Sequence, residues 1–254
     1  MRFGSFCKAV AVSAVLVLAG KAQAADYVRY NQWNTTSTTT DLTESSANAN
    51  QAGSMWHYEI VDGTATDGSA DFGGANAWWK QPATGTSKWN TTQLRWEGDQ
   101  PGGTGTYPRA NNTNLVSSNN TLFGWISRAT WTPPAPGSVT ISGKINIQTA
   151  NTQQLGDYEW VIGKRTAAGE YTALANGSVT LTAISVPTLV DLAPLTALQN
   201  IPMASGDVLF WTARKKTKVT TANNWYLFDS DTASGGIMTF SFTPSSAVSD
   251  WKSR

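Results

Sequence analysis

The stretch that most constrains the fold is residues 122–147, LFGWISRATWTPPAPGSVTISGKINI. In its second half Val139, Ile141, Ile145 and Ile147 fall on one face, while Thr140, Ser142, Lys144 and Asn146 fall on the other. A period of two puts one face of a strand in a core and the other in water. The first half, ending at Trp131, reads as a second aromatic-rich strand. Between them, three prolines in Thr-Pro-Pro-Ala-Pro-Gly cannot donate to a ladder, so this is a rigid connector. The pattern predicts a strand, a tight proline turn and a strand, with further strands packed against them.

Such strands recur along the chain. Residues 54–61 (SMWHYEIV) end at the turn dipeptide Asp62-Gly63. Short strands are expected at 77–80 (AWWK) and 92–96 (TQLRW). Longer ones are expected at 157–165, 178–184, 189–195, 207–213, 224–228 and 236–242. Residues 98–120 read as a long irregular loop, a length that in a compact domain is functional or mobile. No 3.6-residue periodicity of useful length and no internal repeat interrupts this order. Short, evenly spaced strands with turn signals between them predict an all-β chain, a single antiparallel β-sandwich of jelly-roll type with long irregular loops in its N-terminal half.

The N-terminus reads as a secretory signal over residues 1–24. Arg2 and Lys8 precede an apolar run at 9–20, and Ala22-Gln23-Ala24 fits a small-x-small cleavage site. The apolar run is too short to span a bilayer, and no later segment approaches the ~20 apolar residues needed. The expected location is therefore extracellular, or periplasmic, with no transmembrane segment after signal cleavage. Cys7, the single cysteine, would leave with the signal, so a core rather than disulfides must hold the mature chain. Residues 25–52 form a polar Thr/Ser/Asn arm with an edge strand at its start. Residues 53–244 form the sandwich, and 245–254 a short tail.

Charge excludes one large class of partners. The chain has 18 basic and 17 acidic residues, and loss of Arg2, Lys8 and Lys21 leaves 15 against 17. That near-neutral balance carries no electrostatic footprint for nucleic acid. The basic run Arg214-Lys215-Lys216-x-Lys218 reads as a solvated hairpin tip protecting an edge, or as a contact for an acidic polysaccharide or cell-envelope phosphate.

Signals for catalysis are sparse. His57 is the single histidine and no G-x-S-x-G elbow occurs, so the 54–61 strand places it as a packing or solvent-side residue. Glu59, Glu97, Asp99, Asp157 and Glu159 supply carboxylates, without the paired motif of a glycosidase, whose two groups stand about 5–10 Å apart. His57 or Tyr107 with Arg109 are the ingredients of a lyase. No cofactor is indicated, except that calcium stays open at Asp229 and Asp231, two carboxylates in a polar turn; solvated turn aspartates are the plainer reading.

The 12 tryptophans are the strongest functional signal. Indole rings stack on the apolar faces of sugars, and a surface avoids clustered aromatics unless something binds there. Trp131, Trp160 and Trp211 lie in well-patterned strands and read as core. Trp78, Trp79, Trp89 and Trp96, with Tyr107 and Arg109, fall in the irregular half and form the candidate ligand-binding set. In an extended Trp78-Trp79 one ring would point inward and the other outward. For these rings, capping the core and stacking on a ligand both stand.

The order of features resembles the jelly-roll ectodomains of secreted planctomycete and verrucomicrobial proteins. Trp56-His57-Tyr58 matches their W-x-Y, and Trp131-Thr-Pro-Pro-Ala-Pro-Gly-Ser-Val139-Thr-Ile141-Ser-Gly143 matches their aromatic strand, proline turn and V-x-I-x-G strand. Gly206-Asp207-Val-Leu-Phe210-Trp211 and the final strand also fit, whereas Tyr107-Pro108 departs from their His-Pro. The resemblance implies a fold like a carbohydrate-binding module and brings no catalytic residues with it. Three functions follow as expectations. The first is a secreted, non-catalytic protein binding polysaccharide or cell-surface glycan through loop aromatics. The second is a structural or adhesive surface protein binding protein or itself. The third is a polysaccharide lyase or hydrolase.

Overall fold

The computed structural model describes residues 24–29, 55–62, 77–81, 87–90, 95–98, 109–111, 113–119, 125–216 and 223–245. The expected signal peptide, most of the polar arm and Tyr107 lie outside them. The strands, in chain order, are β1 (Ala25–Tyr27), β2 (Trp56–Asp62), β3 (Ser87–Asn90), β4 (Arg95–Gly98), β5 (Arg109–Ala110), β6 (Asn114–Asn119), β7 (Trp125–Trp131) and β8 (Gly137–Thr149). There follow β9 (Gly156–Arg165), β10 (Tyr171–Leu181), β11 (Thr188–Asp191), β12 (Ile201–Met203), β13 (Val208–Lys215), β14 (Asn223–Phe228), β15 (Ser230–Asp231) and β16 (Gly236–Pro244). All their pairings are antiparallel.

Two layers result. One runs β2-β7-β13-β9-β10. The other is built on β8, whose first half pairs with β16 and β12 and whose second half pairs with β14 and β11. From β14 the ladder continues through β6, β5 and β4 to β3. The single pair Ser118↔Trp125 ties β6 to β7 and so joins the layers. β1 lies on the edge of β16, with Ala25 opposite Phe242.

β8 changes partners at Gly143, where φ is +91° and a Cβ would run into the Ile237 carbonyl oxygen. Only glycine takes that backbone at so close an approach. The alternation on either side holds: Val139, Ile141, Ile145 and Ile147 are all buried. Asn146 is the exception on the polar face. It is buried, its amide donates to Gln148 and to the Ser234 carbonyl, and its oxygen accepts from Thr188 N–H.

The proline connector does not close a hairpin. β7 and β8 are not partners; residues 132–136 carry the chain from one layer to the other. Prolines suit such a crossing because no ladder donors are wanted there. Between the layers, Trp56, Trp131 and Trp211 pack with Phe240: the rings of Trp131 and Phe240 stack at 5.3 Å, and Trp56 meets Trp211 edge-on at 5.9 Å. Trp131, Trp160 and Trp211 are core, as their strand patterns predict.

Two other expectations change. Residues 98–120 are not one irregular loop, since they contain β5 and β6, whose Ala110, Leu115 and Val116 are buried. The turn between them is built by Asn111, whose side-chain oxygen accepts from Thr113 N–H (3.0 Å) and Asn114 N–H (2.9 Å). The basic run is not solvated throughout either: Lys216 is exposed and Lys218 lies outside the described residues, but the run's first two members do not face water. Arg214 and Lys215 are buried on opposite faces of β13, and Lys215 Nζ donates to the carbonyls of Gln153 (2.9 Å) and Leu155 (2.8 Å). Burial holds its ammonium pKa below the ordinary lysine value. No helix among the described residues is long and apolar enough to cross a membrane.

Candidate functional site

The outer face of the β2-β7-β13-β9-β10 layer is not the polar surface that simple alternation gives. β13 reads Leu209-Phe210-Trp211, three large apolar residues in succession, which means that both its faces are covered. Leu209 and Trp211 point into the main core. Phe210 points outward with Val61, Ile126 and Val161, and the segment 77–81 seals them.

That segment holds Trp78 and Trp79. Instead of a strand it forms a 3-10 turn, Trp78–Lys80, closed by Lys80 N–H donating to the Ala77 carbonyl (2.9 Å). An extended chain would aim one ring at the sheet and one at solvent; the tight turn aims both at the sheet. Trp78 is fully buried and Trp79 is 3% exposed. Trp79 stacks on Phe210 at 6.1 Å with 19° between ring planes. The Arg214 guanidinium lies 5.0 Å from the Trp78 ring centre. The expectation of an outward-facing ring is thereby corrected: in this conformation neither indole offers a free face.

A buried cation that no sequence motif marks anchors this strap. Arg128, fully buried on β7, donates to the carbonyls of Trp79 and Gln81, both at 3.1 Å, and its Nε to Glu59 (2.5 Å). Arg165 also pairs with Glu59 (2.9 Å) and donates to the Tyr171 hydroxyl (3.1 Å). Burial alone would raise the Glu59 carboxyl, but the two guanidiniums outweigh it and hold its pKa below the usual range. The β2 register places Glu59 opposite Arg128, and His57, half-buried, opposite Thr130. The legible signal was an arginine inside a strand otherwise reading as core.

The second part of the predicted set lies on β3, β4 and β5. Register sets Trp89 opposite Trp96, Trp96 opposite Ala110, and Ala110 opposite Leu115. Glu97 stands opposite both Lys88 and Arg109. Arg109 is half-buried, and its carbonyl accepts from Ser127 Oγ (3.2 Å). The predicted residues thus divide between the outer strap (Trp78, Trp79) and this ribbon (Trp89, Trp96, Arg109).

The aspartates proposed for calcium serve other purposes. Asp229 is not in a solvated turn: it is 1% exposed and forms an ion pair with the equally buried Arg29. Arg29 Nε donates to Asp229 Oδ2 (3.0 Å), and Trp211 Nε1 donates to the same oxygen (2.7 Å). A cation there would meet the guanidinium. Burial pushes the neighbouring Tyr58 hydroxyl up to about 12, against the opposing pull of Arg29. Asp231 closes its own turn by accepting from Ala233 N–H (3.1 Å) and Ser234 N–H (3.2 Å). Among the described residues no three His, Cys, Asp or Glu gather as a metal set.

No protein-family model matches the chain. No curated protein matches it. Among solved structures, a CocE/NonD-family hydrolase from Staphylococcus aureus aligns at 10% identity over 66% of this chain, with a TM-score of 0.27. The structure of infectious bursal disease virus, Gx strain, aligns at 10% identity over 80% of this chain, with a TM-score of 0.18. The chain spans 43% and 60% of those two chains, less than two thirds of either. Likenesses this distant carry nothing about activity.

Proposed function

We propose that this chain is a secreted, non-catalytic β-sandwich that binds glycan along the β3–β4 ribbon. The observation that carries the reading is the register Trp89↔Trp96, which sets two indole-bearing positions side by side with Asn90, Arg95 and Glu97 next to them in sequence. Paired aromatics suit the apolar faces of consecutive sugar rings, and amide or charged neighbours suit their hydroxyls. The state of the buried carboxylates supports the non-catalytic part. A glycosidase needs an acid of raised pKa beside a second carboxylate. Glu59 is held low by two arginines, Glu159 pairs with Arg214 (3.3 Å), and Asp229 is closed by Arg29 and Trp211. Burial alone would raise Asp207, but Lys164 at 2.9 Å and backbone donors from Ala204 and Ala167 hold it low.

Affinity electrophoresis against a panel of soluble polysaccharides tests the proposal, with product release followed in parallel. One glycan class should retard the protein, and Trp89→Ala with Trp96→Ala should abolish the retardation while no sugar is released. Retardation by no glycan in the panel, or retention of it by the double variant, defeats the reading.

A further inference from the structure

β10 is an edge. Among the described strands it pairs with β9 alone, at the end of the hydrogen-bonded path through the layers. Natural edges carry charges, prolines or bulges that stop them recruiting another strand. β10 has one bulge, between Ala173 and Ala175, and from Ala175 to Leu181 its register with β9 is unbroken. Asn176, Ser178 and Thr180 alternate outward along this stretch and are exposed. Gly177 belongs to the inward set, where a Cβ would press into the Trp160 ring at 2.9 Å. That glycine therefore answers to the core and not to the edge.

Charge is missing well beyond the strand. No Asp, Glu, Lys, Arg or His occurs from residue 171 to 190, in a chain that is 14% charged. The three exposed large apolar side chains of the described structure all fall in the same span: Ile184 (44%) and Val186 (51%) where the chain crosses from β10 to β11, and Leu189 (46%) on β11. A strand that meets its own copy across a two-fold axis sets equal side chains near each other, so any charge on it opposes itself. This segment lacks that obstacle throughout, which singles out a second copy of the chain as the occupant it fits.

We propose that the protein self-associates as a two-fold dimer through antiparallel β10–β10 pairing, making one continuous sheet of two layers from two molecules. Centred on the regular stretch, Ser178 faces its own copy, Asn176 faces Thr180, and Ala175 faces Leu181. Ile184 and Val186 then fall beside the Tyr171 end of the other copy, where they add apolar area that strand pairing alone lacks. The inference stands apart from glycan binding, because β10 and the β3–β4 ribbon belong to different ends of the ladder.

The test is sedimentation velocity of the full chain from about 1 to about 100 µM, the range in which modest interfaces dissociate. The wild type should pass from monomer to dimer. Asn176→Lys with Thr180→Lys sets lysine against lysine twice across the axis and should weaken the dimer by about tenfold or more. Asn176→Asp with Thr180→Lys sets opposite charges there and should keep it. The two variants share the loss of the Thr180–Asp157 hydrogen bond (2.5 Å), so that change cannot separate them. A wild type monomeric across the range overturns the proposal, as do two variants that associate alike.

Discussion

At Asp229 one carboxylate gathers a guanidinium from residue 29 and an indole N–H from residue 211, all in the interior. Removing one partner of such a pair leaves an uncompensated buried charge, which is worse than having neither. Asp229→Ala should therefore cost about 3–5 kcal/mol of unfolding free energy, read from urea denaturation. Arg29→Met combined with Asp229→Leu should recover part of that loss, because no buried charge is left unpaired, while the Trp211 indole N–H still loses its acceptor. A double variant as unstable as the single one would show that the pair is held by more than its own charges. The pair also fixes residues near the N-terminus against the β14–β15 junction, a link of 200 positions in sequence.

Among the elements, the 77–81 strap shows what sequence patterning reaches and where it stops. The alternating halves of β8 were legible because each residue answers to one face, and the core tryptophans of β7, β9 and β13 were legible for the same reason. The strap was not. Its conformation is set by the apolar patch of Phe210, Val61, Ile126 and Val161 beneath it, and by Arg128 reaching up to its carbonyls. Those partners lie far away in sequence, so no local period encodes them. β5 and β6 were hidden likewise, since an Asn/Thr/Ser-rich stretch becomes ladder only because Leu115 and Val116 find a core. The Leu209-Phe210-Trp211 run was the available clue that something covers the outer face. If Trp79 is a cover rather than a binding platform, Trp79→Ala should lower stability by about 3–5 kcal/mol, as large aromatic truncations in a core do. Thermal unfolding checks this, with glycan retardation by the folded fraction left unchanged.

For the molecule as a whole, the acid limb of stability follows from carboxylates set against cations. Glu59 and Asp207 both release their protons more readily folded than unfolded. Between the folded and unfolded pKa values the unfolded chain binds more protons, so stability rises with pH through that window. The contribution is complete above the ordinary carboxylate range near pH 4 and is lost as pH falls through the folded values. Urea midpoints measured from neutrality downward should drop in this region. Glu59→Gln should be less stable at neutrality and show a shallower drop. An unchanged slope in that variant would assign the acid limb to other groups.

The nested rings of Trp56, Trp131 and Trp211, with centroids 5.9 and 6.4 Å apart between neighbours, also give the protein an optical character. Indoles held this close in fixed, non-parallel orientations share their excited states, and their circular dichroism should show a paired positive and negative band that vanishes when the layers separate. Positions 89 and 96 are two of the chain's 12 tryptophans. Light from the ribbon tryptophans at 89 and 96 is then a minor voice over a loud, ligand-blind background. A glycan titration followed by total fluorescence would understate binding, and the informative signal is the difference spectrum between wild type and the variant Trp89→Phe with Trp96→Phe.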